Sequence, residues 1–356
     1  MRRYRRPPFA ALAAVLAVIL AVAGCGAGGD SGGKGKKRLS VGLAVANNSQ
    51  NFGVEMMNGG RAAARDLGNV DFRAVGPPNT DGPAEQQLFQ NLTQTSRDGI
   101  VLMNLDPPLF TRPAARAIDE GIPVIAMDTA PLNGSKITLY VGNDNYEIGT
   151  KLGTEALKRL PKDPSGTVVI GEPNPGTPVL DSRVKGIKDT FTKQAPKVKV
   201  LGPYQTYSDP GKNYDAWVSQ VHAHPGALAF LGVGDADSYD LARIKQQEHG
   251  KYLVAGTDVD AKTLEDVRKG LDFVTIDPEH FLKGYVSTSL LIKSVRSGKF
   301  PKGWFKIPSL VVDKSNVNQI IAREKSPKAA YDWYKPQMKK LLGDVQGQMH
   351  PLGQAR

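Results

Sequence analysis

Short apolar runs of strand length alternate along this chain with stretches of helical periodicity, from residue 38 to residue 295. RLSVGLAVA (38–46), GIVLMN (99–104) and IPVIAM (122–127) are apolar at nearly every position. Half-exposed strands alternate apolar and polar residues; continuous runs suit strands buried on both faces of a parallel sheet. Between them lie helical patterns at 52–67, 84–96 and 109–120, the first with Phe52, Met56, Ala63 and Leu67 near one face. A further strand fits 70–75. Strands alternating with helices of this length predict parallel, doubly wound α/β architecture.

The same rhythm restarts after Asp144. Helices are expected at 146–159, 179–193, 213–223, 237–247, 262–269 and 281–295, with strands at 167–171, 198–201, 227–231, 252–255 and 273–276. Two successive series predict two lobes of similar build, though the sequence does not repeat. The last segment, 323–356, is polar and basic; it either adds a surface helix or stays outside the fold.

The chain's only cysteine, Cys25, closes the run VAGC after an apolar stretch (10–23) and four arginines, Arg2, Arg3, Arg5 and Arg6. Basic, apolar and small-residue regions in that order mark an export signal. A cysteine just after the small residues resembles a lipoprotein signal, which implies a lipid on the Cys25 thiol and a mature chain tethered outside the cytoplasm. Residues 1–24 then form the signal and 25–37, mostly Gly, Ser and Lys, a flexible tether. Ordinary cleavage and an uncleaved anchor are the alternatives. No later run approaches the ~20 apolar residues of a membrane span, and with Cys25 lipidated no disulfide is available.

The net charge of +11 invites a nucleic-acid reading, but its distribution argues against one. The signal holds about +4, residues 26–37 about +2 and residues 323–356 about +4, leaving about +1 for 38–322. A nucleic-acid binder concentrates its charge on the fold. Basic flanks serve solubility and attraction to anionic headgroups.

In open α/β sheets, ligands bind beyond the carboxyl ends of the strands. Polar and aromatic residues follow the predicted strands at 47–52, 104–106, 128–129, 172–174, 204–207, 234–235, 258 and 277. Uncharged hydrogen-bonders, a few carboxylates and aromatic rings suit a neutral polyhydroxylated ligand. Carboxylates accept from hydroxyls, arginine donates to ring and hydroxyl oxygens, and an aromatic face packs on sugar C–H groups. Each candidate has a structural alternative. Asp128 and Asp258 follow strands, where a carboxylate also caps turns and helices. Arg183 sits early in a helix, where solvation alone would account for it. Phe52 also fits a core position, Tyr207 a strand end, and Asp235 and Asp237 a helix start that favours acids. Trp217 reads as core. His222 and His224 lack a metal-type partner set, and neither a metal nor a cofactor is expected.

Taken in order, these landmarks resemble the sugar-binding proteins of ABC importers, of which the ribose- and galactose-binding proteins are the best known. The resemblance runs from about residue 38 to 312. It is carried by Phe52 ahead of NGGRAAARDLG, DGIVLMNLDP, GIPVIAMDTA, YVGNDNYEIG, the Arg183-x-x-Gly186 helix, VAGTDVD and Asp277-Pro278. It implies the type I periplasmic-binding fold: two Rossmann-like lobes with parallel sheets, joined by a three-segment hinge. Crossings are expected near 142–145, 277–280 and 301–307. One lobe would comprise 38–142 plus about 278–303, the other 143–277 plus about 304–322. The implied pocket residues are Phe52, Asp128, Arg183, Tyr207, Asp258 and Asp277. Three positions depart from the ribose-type pattern: Thr129 replaces an arginine, Gly234 an asparagine, and Asp277 a glutamine. With Asp235 they complete the candidate site and point away from ribose, toward another monosaccharide, a polyol, a partly cationic ligand or a sugar-derived signal.

The expected partners are such a small molecule, a membrane ABC permease and, through the lipid, the membrane itself; nucleic acid is excluded and the protein reads as a monomer. A repressor's effector-binding half shares the fold, but no helix-turn-helix precedes Arg38. The enzyme reading lacks a nucleophile elbow, a Walker loop and a zinc set. A sensory receptor for a sugar-like signal stays open beside import.

Overall fold

The computed structural model describes residues 38–356; the signal, the tether and Cys25 lie outside them. The first lobe is built from β1 (Leu39–Ala44), α1 (Asn51–Leu67), β2 (Val70–Val75), α2 (Gly82–Thr95), β3 (Gly99–Leu102), α3 (Pro107–Asp119), β4 (Val124–Met127) and β5 (Leu139–Gly142). The second contains α4 (Asn145–Leu157), β6 (Gly166–Glu172), α5 (Pro178–Gln194), β7 (Val198–Gln205), α6 (Pro210–Ala223), β8 (Ala229–Gly232), α7 (Asp235–Gln247), β9 (Leu253–Thr257), α8 (Ala261–Lys269) and β10 (Thr275–Asp277). The chain then returns to the first lobe as α9 (His280–Ser297) and β11 (Gly303–Lys306). It crosses again to β12 (Leu310–Val312) and α10 (Val317–Glu324), and ends in α11 (Pro327–Gly343) and β13 (Met349–His350).

One sheet runs β13-β11-β5-β4-β3-β1-β2, the other β12-β10-β9-β8-β6-β7. Both are parallel inside; only β13, against β11, and β12, against β10, run antiparallel. β1, β3 and β4 are buried along most or all of their length, as continuous apolar runs require. The fold is thus the expected pair of doubly wound lobes.

Two helix pairs pack so closely that only glycine fits between them. A Cβ on Gly284 of α9 would lie 2.0 Å from the Met56 carbonyl oxygen of α1; one on Gly149 of α4 would lie 1.9 Å from the Arg183 carbonyl oxygen of α5. These crossings bring the first turns of α9 and α5, with their polar side chains, against the strand ends.

The lobe boundaries differ from expectation in two places. β11 pairs with β5 at residues 303–306, so this part belongs to the first lobe and the crossing falls at 307–309. There Asn143 Nδ2 donates to the carbonyls of Ile307 (3.1 Å) and Pro308 (2.8 Å), tying two crossings together. The C-terminal segment is no loose tail. α10 packs on α8, whereas α11 packs on α9 and α1 and buries Ala330, Tyr334, Met338 and Leu341. Residues 325–326 therefore form a fourth passage between lobes. Basic residues on one face of α11 concealed an apolar stripe on the other.

Asp277 belongs to this junction. It is fully buried, pairs with Arg323 Nη1 at 2.7 Å, and accepts from the Glu279 backbone N–H. Glu55, Glu279 and Glu324 surround the same arginine, whose guanidinium lies 5.2 Å over the Tyr334 ring. Burial and the neighbouring acids raise the Glu55 pKa well above the ordinary value and push Glu279 up to about 8.

Candidate functional site

The two lobes present equivalent carboxylates at equivalent strand ends. Asp128 follows β4 and Asp258 follows β9, each in the left-handed region, with φ of 69° and 72°. Aspartate tolerates that region better than most residues. Each backbone N–H donates to the neighbouring strand, Asp128 to Val141 and Asp258 to Ile276, both at 2.9 Å. Each carbonyl in turn accepts a side-chain hydroxyl, from Tyr140 (2.7 Å) and Thr275 (2.6 Å) respectively. The strand ends hold both aspartates in one orientation.

A cation from a tightly packed helix meets each carboxylate. Lys283 of α9, fully buried, donates to Asp128 Oδ1. Arg183 of α5 reaches Asp258 Oδ2 at 2.9 Å, and also donates to the Val233 carbonyl, Thr257 Oγ1 and Asn145 Oδ1. His280 Nε2 lies 2.7 Å from Asp258 Oδ1, between the lobes. Burial opposes charge on Asp128, but Lys283 and His280 outweigh it and hold the carboxyl below its usual range. Burial likewise opposes charge on Asp258, where Arg183 and His280 hold the pKa far below the usual range. Burial and the nearby Lys283 lower the His280 pKa, so the ring is neutral near neutral pH.

Between these groups lies a cavity walled by Phe52, Asp128, Arg183, Gly234, Asp235 and Asp258 among others. Gln50, Asn174, Ser208 and His280 add polar edges; Met103, Leu105, Val179 and Leu180 add apolar ones. The lobes touch across its mouth: Gln50 Nε2 donates to the Ser208 carbonyl (3.2 Å), and Asn51 Nδ2 to the Val259 carbonyl (2.6 Å). Asp237 serves the scaffold instead. Its carboxylate accepts from the backbone of Val233 and Gly234, from Asn213 Nδ2 and from the buried indole of Trp217.

Six of the nine candidate residues therefore meet at one cavity, and three do not. Thr129 is buried behind Asp128 and does not line it. Tyr207 is 40% exposed and stands on an outer groove with Asp209 and Lys212. Asp277 points into the Arg323 cluster, because β10 directs it toward α10 rather than the cleft.

His280 and Lys283 escaped the sequence reading. Thr129 in place of arginine looked like a lost donor, yet Lys283 restores a cation at Asp128 from a different helix. A lysine amid the apolar residues of HFLKGYVSTSLLI was the available signal; a buried lysine needs a counter-charge.

A two-lobed α/β body whose strand ends wall a cavity from both sides defines a binding protein for a small solute. The periplasmic binding protein domain family matches residues 41–299, and the chain belongs to that family. It is 26% identical over 260 residues to the D-allose-binding periplasmic protein of Escherichia coli (strain K12), covering 70% of this chain and 83% of that one. A solute-binding protein of an ABC transporter from Burkholderia graminis C4D1M, solved in complex with D-arabinose, superposes with a TM-score of 0.73 at 23% identity, over 79% of this chain and 96% of that one. The glucose-galactose binding protein GanP of Geobacillus stearothermophilus superposes with a TM-score of 0.72 at 22% identity, over 79% of this chain and 99% of that one. The protein is a binding protein and not an enzyme, and its family is extracytoplasmic. Among the described residues no helix is long and apolar enough to cross a membrane.

Proposed function

We propose that this protein captures a monosaccharide or related polyol between its lobes and delivers it to an ABC permease. The cavity carries the reading: two oriented carboxylates, a guanidinium and the Phe52 ring converge on one space between the lobes. Oriented acceptors and a donor would read hydroxyl positions, and Phe52 would cover an apolar C–H face. Phe52, Asp128, Arg183, Gly234, Asp235 and Asp258 form the proposed binding set, with His280 added. Contacts from both lobes favour the closed state, which a permease would recognise. The basic, apolar and VAGC segments support lipid attachment at Cys25, and hence an anchored receptor on the outer face of the membrane. The names of its relatives, binders of D-allose and of xylose/arabinose, agree with a sugar.

Thermal-shift screening against neutral sugars, amino sugars and polyols should reveal at least one stabiliser, since selective native-state binding raises the melting temperature. Phe52→Ala should weaken that ligand about 10- to 100-fold while leaving the unliganded melting temperature nearly unchanged. A panel without a single stabiliser, or a Phe52→Ala protein that binds normally, would refute the assignment.

A further inference from the structure

Two carboxylates of the cavity wall are neutralised within the protein: Asp128 by Lys283, and Asp258 by Arg183. Asp235 is different. It begins α7, is 8% exposed, lines the cavity, and its Oδ1 has no hydrogen-bond partner. Among the described residues no cation pairs with it. Its charged surroundings are acids: Asp258 and Asp260 from the end of β9 and the start of α8, and Asp237 on its own helix. Lys262, at the outer groove, has its ammonium 4.4 Å over the Tyr239 ring. From the first lobe, the Asn51 backbone N–H at the start of α1 faces the carboxyl.

A second orphan acceptor lies in the same wall. His280 Nε2 faces the ionised Asp258, so the proton of the neutral ring sits there. Nδ1 is left a bare acceptor, buried and without a partner. Orphaned buried acceptors are costly, and together these two call for a donor-rich ligand.

We propose that the ligand is an amino-substituted polyol, an amino sugar or aminocyclitol, whose primary ammonium seats on Asp235. This rests on the polyol reading above and sharpens it. An ammonium brings three donors and the one charge the wall lacks. The amino ends of α1 and α7 add partial positive charge beside the carboxyl, easing its ionisation as the ligand enters. A ring hydroxyl would then donate to His280 Nδ1.

The test is calorimetry with matched pairs near neutral pH: glucosamine against glucose, galactosamine against galactose, and mannosamine against mannose. At least one amine should bind about tenfold or more tightly than its neutral partner. Asp235→Asn should weaken that amine about 10- to 100-fold more than it weakens the neutral partner, with an unliganded melting temperature that shows the variant folds. If neutral sugars bind and no amine is preferred, the inference fails and the polyol reading survives. Equal losses for amine and neutral sugar in Asp235→Asn would also overturn it. If no member of the panel binds, both readings fall.

Discussion

The two strand-end carboxylates show how lobes of one design can be wired differently. Asp128 and Asp258 share backbone angles, neighbouring-strand hydrogen bonds and a hydroxyl on the carbonyl. In the first lobe a single lysine completes the arrangement. In the second, Arg183 binds the carboxylate together with Val233, Thr257 and Asn145, and His280 takes the other oxygen. One lobe thus carries a carboxylate with a single hydrogen-bonded cation, the other a hydrogen-bonded network. A single pair can be replaced by neutral groups at little cost, whereas a network strands its remaining members.

That contrast can be broken by double mutants, which carry the largest expected effect. Lys283→Met alone should cost about 3–5 kcal/mol in urea unfolding, because Asp128 stays buried without its counter-charge. Adding Asp128→Asn should recover most of the loss. In the second lobe, Arg183→Met with Asp258→Asn should recover much less, since the Val233 carbonyl and His280 lose their partners. Equal recovery in both lobes would erase the distinction.

A smaller effect should appear in the pH dependence of stability, with one buried acid per lobe as probe. Burial raises Glu85 of α2 to about 8, against the opposing Asn104 backbone N–H; burial and Asp181 raise Glu172 of β6 to about 8. A raised carboxyl favours the folded state fully below its unfolded pKa and loses that contribution as pH climbs through the folded value. Stability should therefore fall between about pH 4.5 and pH 8, and Glu85→Gln should remove on the order of 1–3 kcal/mol of that fall. Glu172→Gln should do the same from the other lobe. Unchanged pH profiles in both variants would show that neither acid titrates in that window.

The smallest effect belongs to the seam where the C-terminus meets α4. Arg356 Nε lies 3.3 Å from Asp144, but its side chain is largely exposed. Arg356→Ala should shift the unfolding free energy by less than about 1 kcal/mol, because the Arg356 carbonyl still accepts from the Asn145 N–H at 2.6 Å. A larger loss would mean that the ion pair itself joins the lobes.

Much of this molecule was legible as a linear text. The runs at 38–46, 99–104 and 122–127 announced buried parallel strands, and residues after those and later strands supplied Asp128, Gly234, Asp235 and Asp258. Phe52 and Arg183 were legible as polar or aromatic breaks at helix starts. The edge strands β11, β12 and β13 were missed: they are short, and pairing with a sheet edge, rather than local pattern, makes them strands. Tyr207 and Asp277 were placed in the cleft because both follow strands, yet one points outward and the other into the hinge. Register and twist set that direction, and neither is a property of the residue.

Periodicity and composition settled the α/β class, the two lobes and the edge where chemistry gathers, because apolar spacing dictates which faces must be hidden. Charge pairing was settled in three dimensions. Lys283 meets Asp128 across 155 positions of chain, Arg323 closes on Asp277 from a segment that read as a tail, and Asp235 alone is left facing the cavity without a cation. Such partnerships depend on how helices cross at bare glycines, and Coulomb forces act through distance in space, not along the backbone.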